Sequence, residues 1–421
     1  MPKDGAPKEV TNEAMEEYAL QAFFYDYCLA PINPTFSCGF LGGLEVMVHR
    51  LGRQSPVSKA CQAVAFASHG LKLTRPFLTR KAEELYQSLL RSLAHAIKDP
   101  KMANKTDTAV MAILLGLYEL MFLWMIIAGD TDPGHHSAHA GGLAALLQIK
   151  NNPLALLEAV RADRSLLPSK AQKPGIFSTC CHRGPGKDLD SLLLRLGPIY
   201  KTSQAILSPF ALIDLPGLHS LKEEAEALNQ ELEMWQQTQS DDFKPTTVGH
   251  MTANPLQQNP QVGYWPGRID IYFDFYIAAM WNISRTARCV LMDLILQLSN
   301  LLNDGLDHFQ LHKDSLTQVE DIIASIPYHL TEHIQAFIRH QGPTMANPGR
   351  PTGGLLLMNP IYILSDLPIV PPEMQVYMKQ CLAWIGHHMG IGHASLLAKN
   401  SDIDNEYTTS GCMIIWAALL V

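Results

Sequence analysis

The sequence has no two cysteines in Cys-x-x-Cys spacing, which removes zinc ribbons and thioredoxin-like redox motifs from consideration. Its cysteines, at 28, 38, 61, 180, 181, 289, 381 and 412, are separated by mostly long, irregular gaps. In an apolar-rich chain such spacing implies reduced, mostly buried thiols and an intracellular setting. Gly-x-Gly-x-x-Gly, Gly-x-x-x-x-Gly-Lys and Gly-x-Ser-x-Gly are missing too, so nucleotide-cradling loops and serine-hydrolase elbows have no foothold. Positive charge is scarce: 32 Lys and Arg face 40 Asp and Glu, for a net charge of −8. Phosphate neutralisation dominates nucleic-acid binding, so a chain this acidic is expected to reach DNA only through a partner. Its opening residues, MPKDGAPKEV, contain no apolar signal core.

What the sequence has in quantity is apolar residues in helical period. They make up 47% of 421 residues, a length that suggests two or three domains. Asn12 to Cys28 sets Met15, Ala19, Ala22, Phe23 and Tyr27 on one stripe. Ser55-Pro56 reads as an N-cap with proline at the first helical position, opening a helix through Ala60, Val64 and Ala67. Ala82, Leu85, Tyr86, Leu89, Leu90, Leu93 and Ile97 keep amphipathic spacing. Ala109 to Ala128 is apolar apart from Glu119, with Asp107 expected as its cap. A carboxylate near the middle of a membrane span costs roughly 2.5–3.5 kcal/mol. A helix apolar all round also suits the centre of a large core, so this segment is expected there and not in a membrane. Strand signals are sparse and short. The expected class is therefore all-α, a large helical domain of antiparallel helix pairs packed solenoid-like.

Composition divides the chain into a polar tail at 1–12, an N-terminal helical half at 13–166, a Pro/Gly/Ser/Lys-rich loop at 167–188 and a helical segment at 189–242. A Pro-rich loop at 243–267 and a C-terminal helical half at 268–421 complete it. Within 189–242, Leu218, Leu221, Ala225, Leu228, Leu232 and Trp235 form a short heptad seam. It is too brief to argue a coiled coil, and a helix docked on the body is expected, with dimerisation as the alternative.

Several histidine groups invite a chemical reading. His329-Leu330-Thr331-Glu332-His333 matches the His-x-x-Glu-His pattern of inverted zinc proteases, but Pro327 just upstream is expected to kink or start a helix there. His135, His136 and His139, and likewise His387, His388 and His393, supply too few convergent ligands for a metal. Cys180-Cys181-His182 lies in a polar loop without a visible means of lowering a thiol pKa. Arg75, Arg80, Lys81 and Arg91 are scattered around a helix pair and read as a solvated face.

In the second half, Met280-Trp281-Asn282 with Arg285 and Arg288 resembles the Trp-Asn-x-x-Arg helix of fungal transcription-factor regulatory domains. Asp321 to Leu330, DIIASIPYHL, resembles the Asp-Ile-x-Ala-Ser-x-Pro-Tyr-His-Leu element of the same domains, and Gly353 to Tyr362 their glycine-led apolar helix. Trp384-Ile385-Gly386 with Gly390-Ile391-Gly392 is similar to the last helix pair. In that family a six-cysteine binuclear zinc cluster precedes the helical domain and binds DNA. Here no such cysteine set is found, and Met1 leads into the helical body.

The resemblance implies a transcription regulator-like protein of the nucleus or nucleocytoplasm, an effector- or partner-binding regulatory domain without its own zinc cluster. Its expected partners are a small hydrophobic effector and a zinc-cluster transcription factor or a second copy, with no direct nucleic acid and no membrane. Trp281, Arg285, Tyr328 and His329 are the expected pocket residues, since aromatic and cationic groups in apolar helices need polar partners. The competing expectation is that Arg285 and Asp321 pair within the core. No catalytic residue, cofactor or metal is expected. The alternative function is a recruited cofactor-free enzyme of fungal secondary metabolism, a cyclase, isomerase or dehydratase using His and Tyr as acid–base groups.

Overall fold

Several helices start where the sequence sets a side-chain oxygen before an apolar stripe. Thr11 accepts from the Ala14 amide at 3.3 Å and opens α1 (Asn12–Tyr27). A short α2 (Leu44–Leu51) follows, then α3 (Pro56–Lys72), whose Ser55 cap accepts from the Ser58 amide at 3.2 Å with Pro56 behind it. α4 (Pro76–Lys98), α5 (Pro100–Ala103) and α6 (Thr106–Phe122) complete the first group. Asp107 lies in the first turn of α6 and not before it, so it favours the helix through the dipole and does not cap it as expected.

The computed structural model describes residues 11–33, 37, 39–103, 105–122, 186–207, 215–252, 261–305, 307–340, 345, 347–399, 415 and 418–420. The stretch 123–128, His135, His136, His139 and Cys180-Cys181-His182 lie outside the described residues, as does the expected loop 167–188 up to residue 185.

The later helices are α7 (Gly186–Ile206), α8 (Leu215–Gln237), α9 (Phe275–Leu302), α10 (His308–Leu330), α11 (Ile334–His340), α12 (Pro351–Asp366), α13 (Pro372–Met389) and α14 (Gly392–Lys399). Consecutive helices joined by a few residues fold back on each other: α3 on α4, α9 on α10, α12 on α13 and α13 on α14. The class is all-α. One apolar cluster links these pairs, from Ala19 on α1 through α3, α6 and α9 to Leu397 on α14. Each fully buried Leu, Ile or Phe in it contributes about 1.5–3 kcal/mol of transfer free energy. The heptad residues of α8 are all buried, with α8 packed on α7 and α9, so this seam is occupied within the chain.

Two local outcomes differ from the sequence-based expectation. Inside the Pro-rich stretch, β1 (Thr246–Met251) pairs antiparallel with β2 (Gly267–Ile271), with a register shift between Thr247 and Gly249. Pro327 does not start a helix: α10 runs through it and ends three residues later, the Thr331 amide bonding the Pro327 carbonyl at 3.1 Å. A proline in the last turn removes one amide from a helix about to stop, which limits its cost.

Among the described residues no helix is long and apolar enough to cross a membrane. The carboxylate within the apolar run of α6, Glu119, is buried and accepts from Tyr86 of α4, whose ring stacks on Tyr118 at 4.3 Å. A polar partner is what allows a carboxylate into an apolar helix.

Candidate functional site

The structure brings the four residues singled out by sequence into one neighbourhood and surrounds them with protein partners. Arg285, on α9, is buried, and its guanidinium lies 5.1 Å from the Trp281 ring and 5.9 Å from the Tyr272 ring. Nη1 donates to the Tyr272 hydroxyl at 2.5 Å and to Asn282 Oδ1 at 3.3 Å, while Nη2 pairs with Asp321 Oδ2 at 3.3 Å. Nε has no partner among the described residues. Asp321 is shared with Arg268 of β2, which also donates to buried Asp270 at 2.8 Å. Trp281 donates through Nε1 to the Phe243 carbonyl at 2.6 Å and packs on Trp235. The hydroxyl that receives the arginine of α9 thus comes from Tyr272, just after β2, and the carboxylate from Asp321 of α10, which Arg268 of β2 shares.

His329 is buried on α10. Its Nδ1 faces the Gly353 carbonyl at 3.2 Å, and a carbonyl can only accept, so Nδ1 carries the proton. Nε2 is then the acceptor for the Asn282 amide at 3.3 Å. Burial lowers the His329 pKa to about 3, with the Gly353 bond opposing. The ring is therefore neutral at pH 7, and both nitrogens are engaged, an arrangement suited to holding helices together and not to moving protons. Tyr328 packs its ring on Tyr272, Phe275 and His329, and burial raises its hydroxyl pKa.

The His-x-x-Glu-His pattern does not converge. α10 ends at Leu330, so Glu332 and His333 leave the helical face on which His329 sits, and Glu332 accepts from Tyr25 of α1. His387, His388 and His393 diverge as well: His393 is buried on α14, whereas His388 stacks on Trp384 at 4.7 Å on the exposed side of α13.

A separate concavity lies between the α3–α4 pair and the α13–α14 pair. It is a groove of about 1000 Å³, and none of Trp281, Arg285, Tyr328 and His329 lines it. Two helical glycines set how closely each pair closes. A Cβ on Gly70 would stand 2.6 Å from Thr79 Oγ1, and one on Gly386 would stand 1.9 Å from Ser395 Oγ. Between the pairs, Ser68 donates to the Met389 carbonyl at 3.3 Å, and Gly390, at φ +73°, sits against the Ser68 backbone. Its walls carry Arg75 and Arg80 from α4 and its approach, with Lys379 and His387 from α13.

Comparison with known proteins gives one decisive result. Transcription factor dbaG of Emericella nidulans is 53% identical to this chain over 425 residues, an alignment that covers 100% of both. The chain belongs to the family of this fungal transcription factor. No protein-family model matches the chain, and no solved structure matches it either.

In the sequence of this family member Trp281, Arg285, Tyr328 and His329 stand out within apolar helices, whereas the residues that line the groove do not. Arg75 and Arg80 stand exposed, as a solvated face would, whereas Lys81 is mostly covered, pairing with Glu16 at 3.2 Å and lying over the Phe66 ring. The available signal was glycine inside helical periods, at Gly70 and Gly386, where close approach is the usual reason for it.

Proposed function

We propose that the chain is a transcription regulator of the nucleus that works through a bound effector or a partner protein and does not read DNA with these 421 residues. The observation that carries this reading is the end-to-end identity of 53% with a fungal transcription factor. Two features of the sequence support it. A net charge of −8 opposes the phosphate contacts on which duplex binding depends. No Cys-x-x-Cys pair is present from which a binuclear zinc cluster could be assembled. In this reading DNA contact is delegated to a partner, either a zinc-cluster transcription factor or an assembly containing a second copy.

Tethering tests it. The full chain, fused to a heterologous DNA-binding domain in a filamentous fungus, is placed at a reporter promoter. Reporter output that departs from that of the DNA-binding domain alone supports the reading. Output equal to that control, with the fusion present in the nucleus at comparable level, overturns it.

A further inference from the structure

The groove between α3–α4 and α13–α14 carries a charge pattern opposite to that of the chain as a whole. The net charge is −8, yet the groove is lined by Arg75, Arg80, Lys379 and Lys399 against one carboxylate, Glu83. Lys379 is already paired with Asp366 at 2.7 Å. Arg75 and Arg80 are exposed and make no ion pair among the described residues. Two guanidinium groups at a shared concavity, neither engaged in an ion pair among the described residues, are available to an anion.

Beside the charges the lining mixes apolar Leu71, Pro76 and Val376 with polar Thr79, Gln380 and Ser395. Ala383 and Ala398 contribute only a methyl group each, which leaves room between the walls for a flat body. At about 1000 Å³ the groove is at the upper end of small-molecule sites, which are apolar concavities with a few convergent polar groups. Its depth is fixed, because the Gly386–Ser395 approach sets one wall and the Ser68–Met389 bond ties the two walls together. A fixed, short-floored concavity suits a compact ligand better than a helix laid across the surface.

We infer that this groove binds a small amphiphilic anion, its flat apolar body against Ala383 and the apolar side chains beside it and its carboxylate or phenolate against Arg75 and Arg80. As the place where an effector acts, the groove rests on the regulator reading above. As a binding site it does not, and the two are tested apart.

The test uses the purified full chain and two fluorescent probes, 1-pyrenebutyrate and its neutral counterpart 1-pyrenebutanol, titrated by fluorescence anisotropy. Ala383→Trp fills the floor from an exposed helical position, so the fold is retained and far-UV circular dichroism checks it. The expected result is saturable binding of 1-pyrenebutyrate, weakened at least about tenfold by Ala383→Trp, which removes a fully desolvated aromatic contact. Arg75→Gln with Arg80→Gln is expected to weaken 1-pyrenebutyrate about three- to tenfold and to leave 1-pyrenebutanol within about twofold. Absence of saturable binding, insensitivity to Ala383→Trp, or equal loss of both probes on removing the arginines would overturn the inference. So would refusal of both probes with Ala383-dependent binding of an acidic amphipathic helical peptide, which would assign the groove to a protein segment. None of these readouts involves transcription, so a failed tethering experiment leaves this site standing, and a failed titration leaves the regulator reading standing.

Discussion

Arg285 and Asp321 form an ion pair at 3.3 Å whose two members are unequally placed: the arginine is 1% exposed, the aspartate 18%. The aspartate has a second cation in Arg268, whereas Asp321 is the carboxylate with which the buried arginine pairs. Removing one member should therefore not cost what removing the other does.

Asp321→Asn takes from the buried guanidinium the carboxylate it pairs with, leaving it hydrogen-bonded to neutral groups with Asp270 as the remaining nearby carboxylate, and is expected to destabilise the fold by about 2–4 kcal/mol, within the range for a broken buried pair. Arg285→Met keeps most of the volume, removes the unpartnered Nε, and leaves Asp321 with Arg268, so its cost should be smaller. Denaturant midpoints of the two variants check the order. A larger loss for Arg285→Met would mean that the arginine's packing against Trp281 and Tyr272 outweighs its charge.

His329 gives a pH dependence of fixed sign. Its folded pKa, about 3, lies below the ordinary histidine value of 6.5, so the unfolded chain binds this proton first. Its full contribution is present above pH 6.5 and is lost as pH falls towards 3. Between pH 7.5 and pH 5 this one group should remove about 2 kcal/mol. His329→Gln, which cannot titrate, should flatten the profile over that interval by a similar amount. Parallel profiles for the two proteins would show that the imidazole is not held neutral.

The glycines of the groove should rank by what they touch. At Gly386 a methyl group meets Ser395 Oγ at 1.9 Å and its backbone nitrogen at 2.7 Å; at Gly70 it meets Thr79 Oγ1 at 2.6 Å and its backbone nitrogen at 3.1 Å. Gly386→Ala must push α14 away and is expected to cost about 1–3 kcal/mol, as overpacking does. Gly70→Ala can be relieved largely by rotating one threonine and should cost less. Thermal midpoints of the two variants decide, and a reversed order would place the tighter constraint between α3 and α4.

The helical stripes and the Ser55-Pro56 start were legible because both are local: period and capping are written within a few residues. The β1–β2 pair was not. Thr246 to Met251 has no alternating apolar face, and its partner begins only at Gly267, beyond a stretch whose prolines and amides read as loop. The buried cluster could be named from Trp281, Arg285 and His329, whose chemistry is conspicuous in apolar helices. Which protein groups receive them could not, because Gly353, Tyr272 and Phe243 reach the cluster from separate elements. The groove was illegible for the same reason at longer range: its walls are about 300 residues apart in sequence, and only packing joins Ser68 to Met389.

In the proposed function these residues regulate transcription without reading DNA themselves. Genomic DNA fragments of the host, incubated with the purified chain at about 0.15 M salt and sequenced after capture, test it most directly. No fragment class should be enriched by the chain alone. Recovery of a shared sequence motif, lost on competition with the same duplex, would contradict the account.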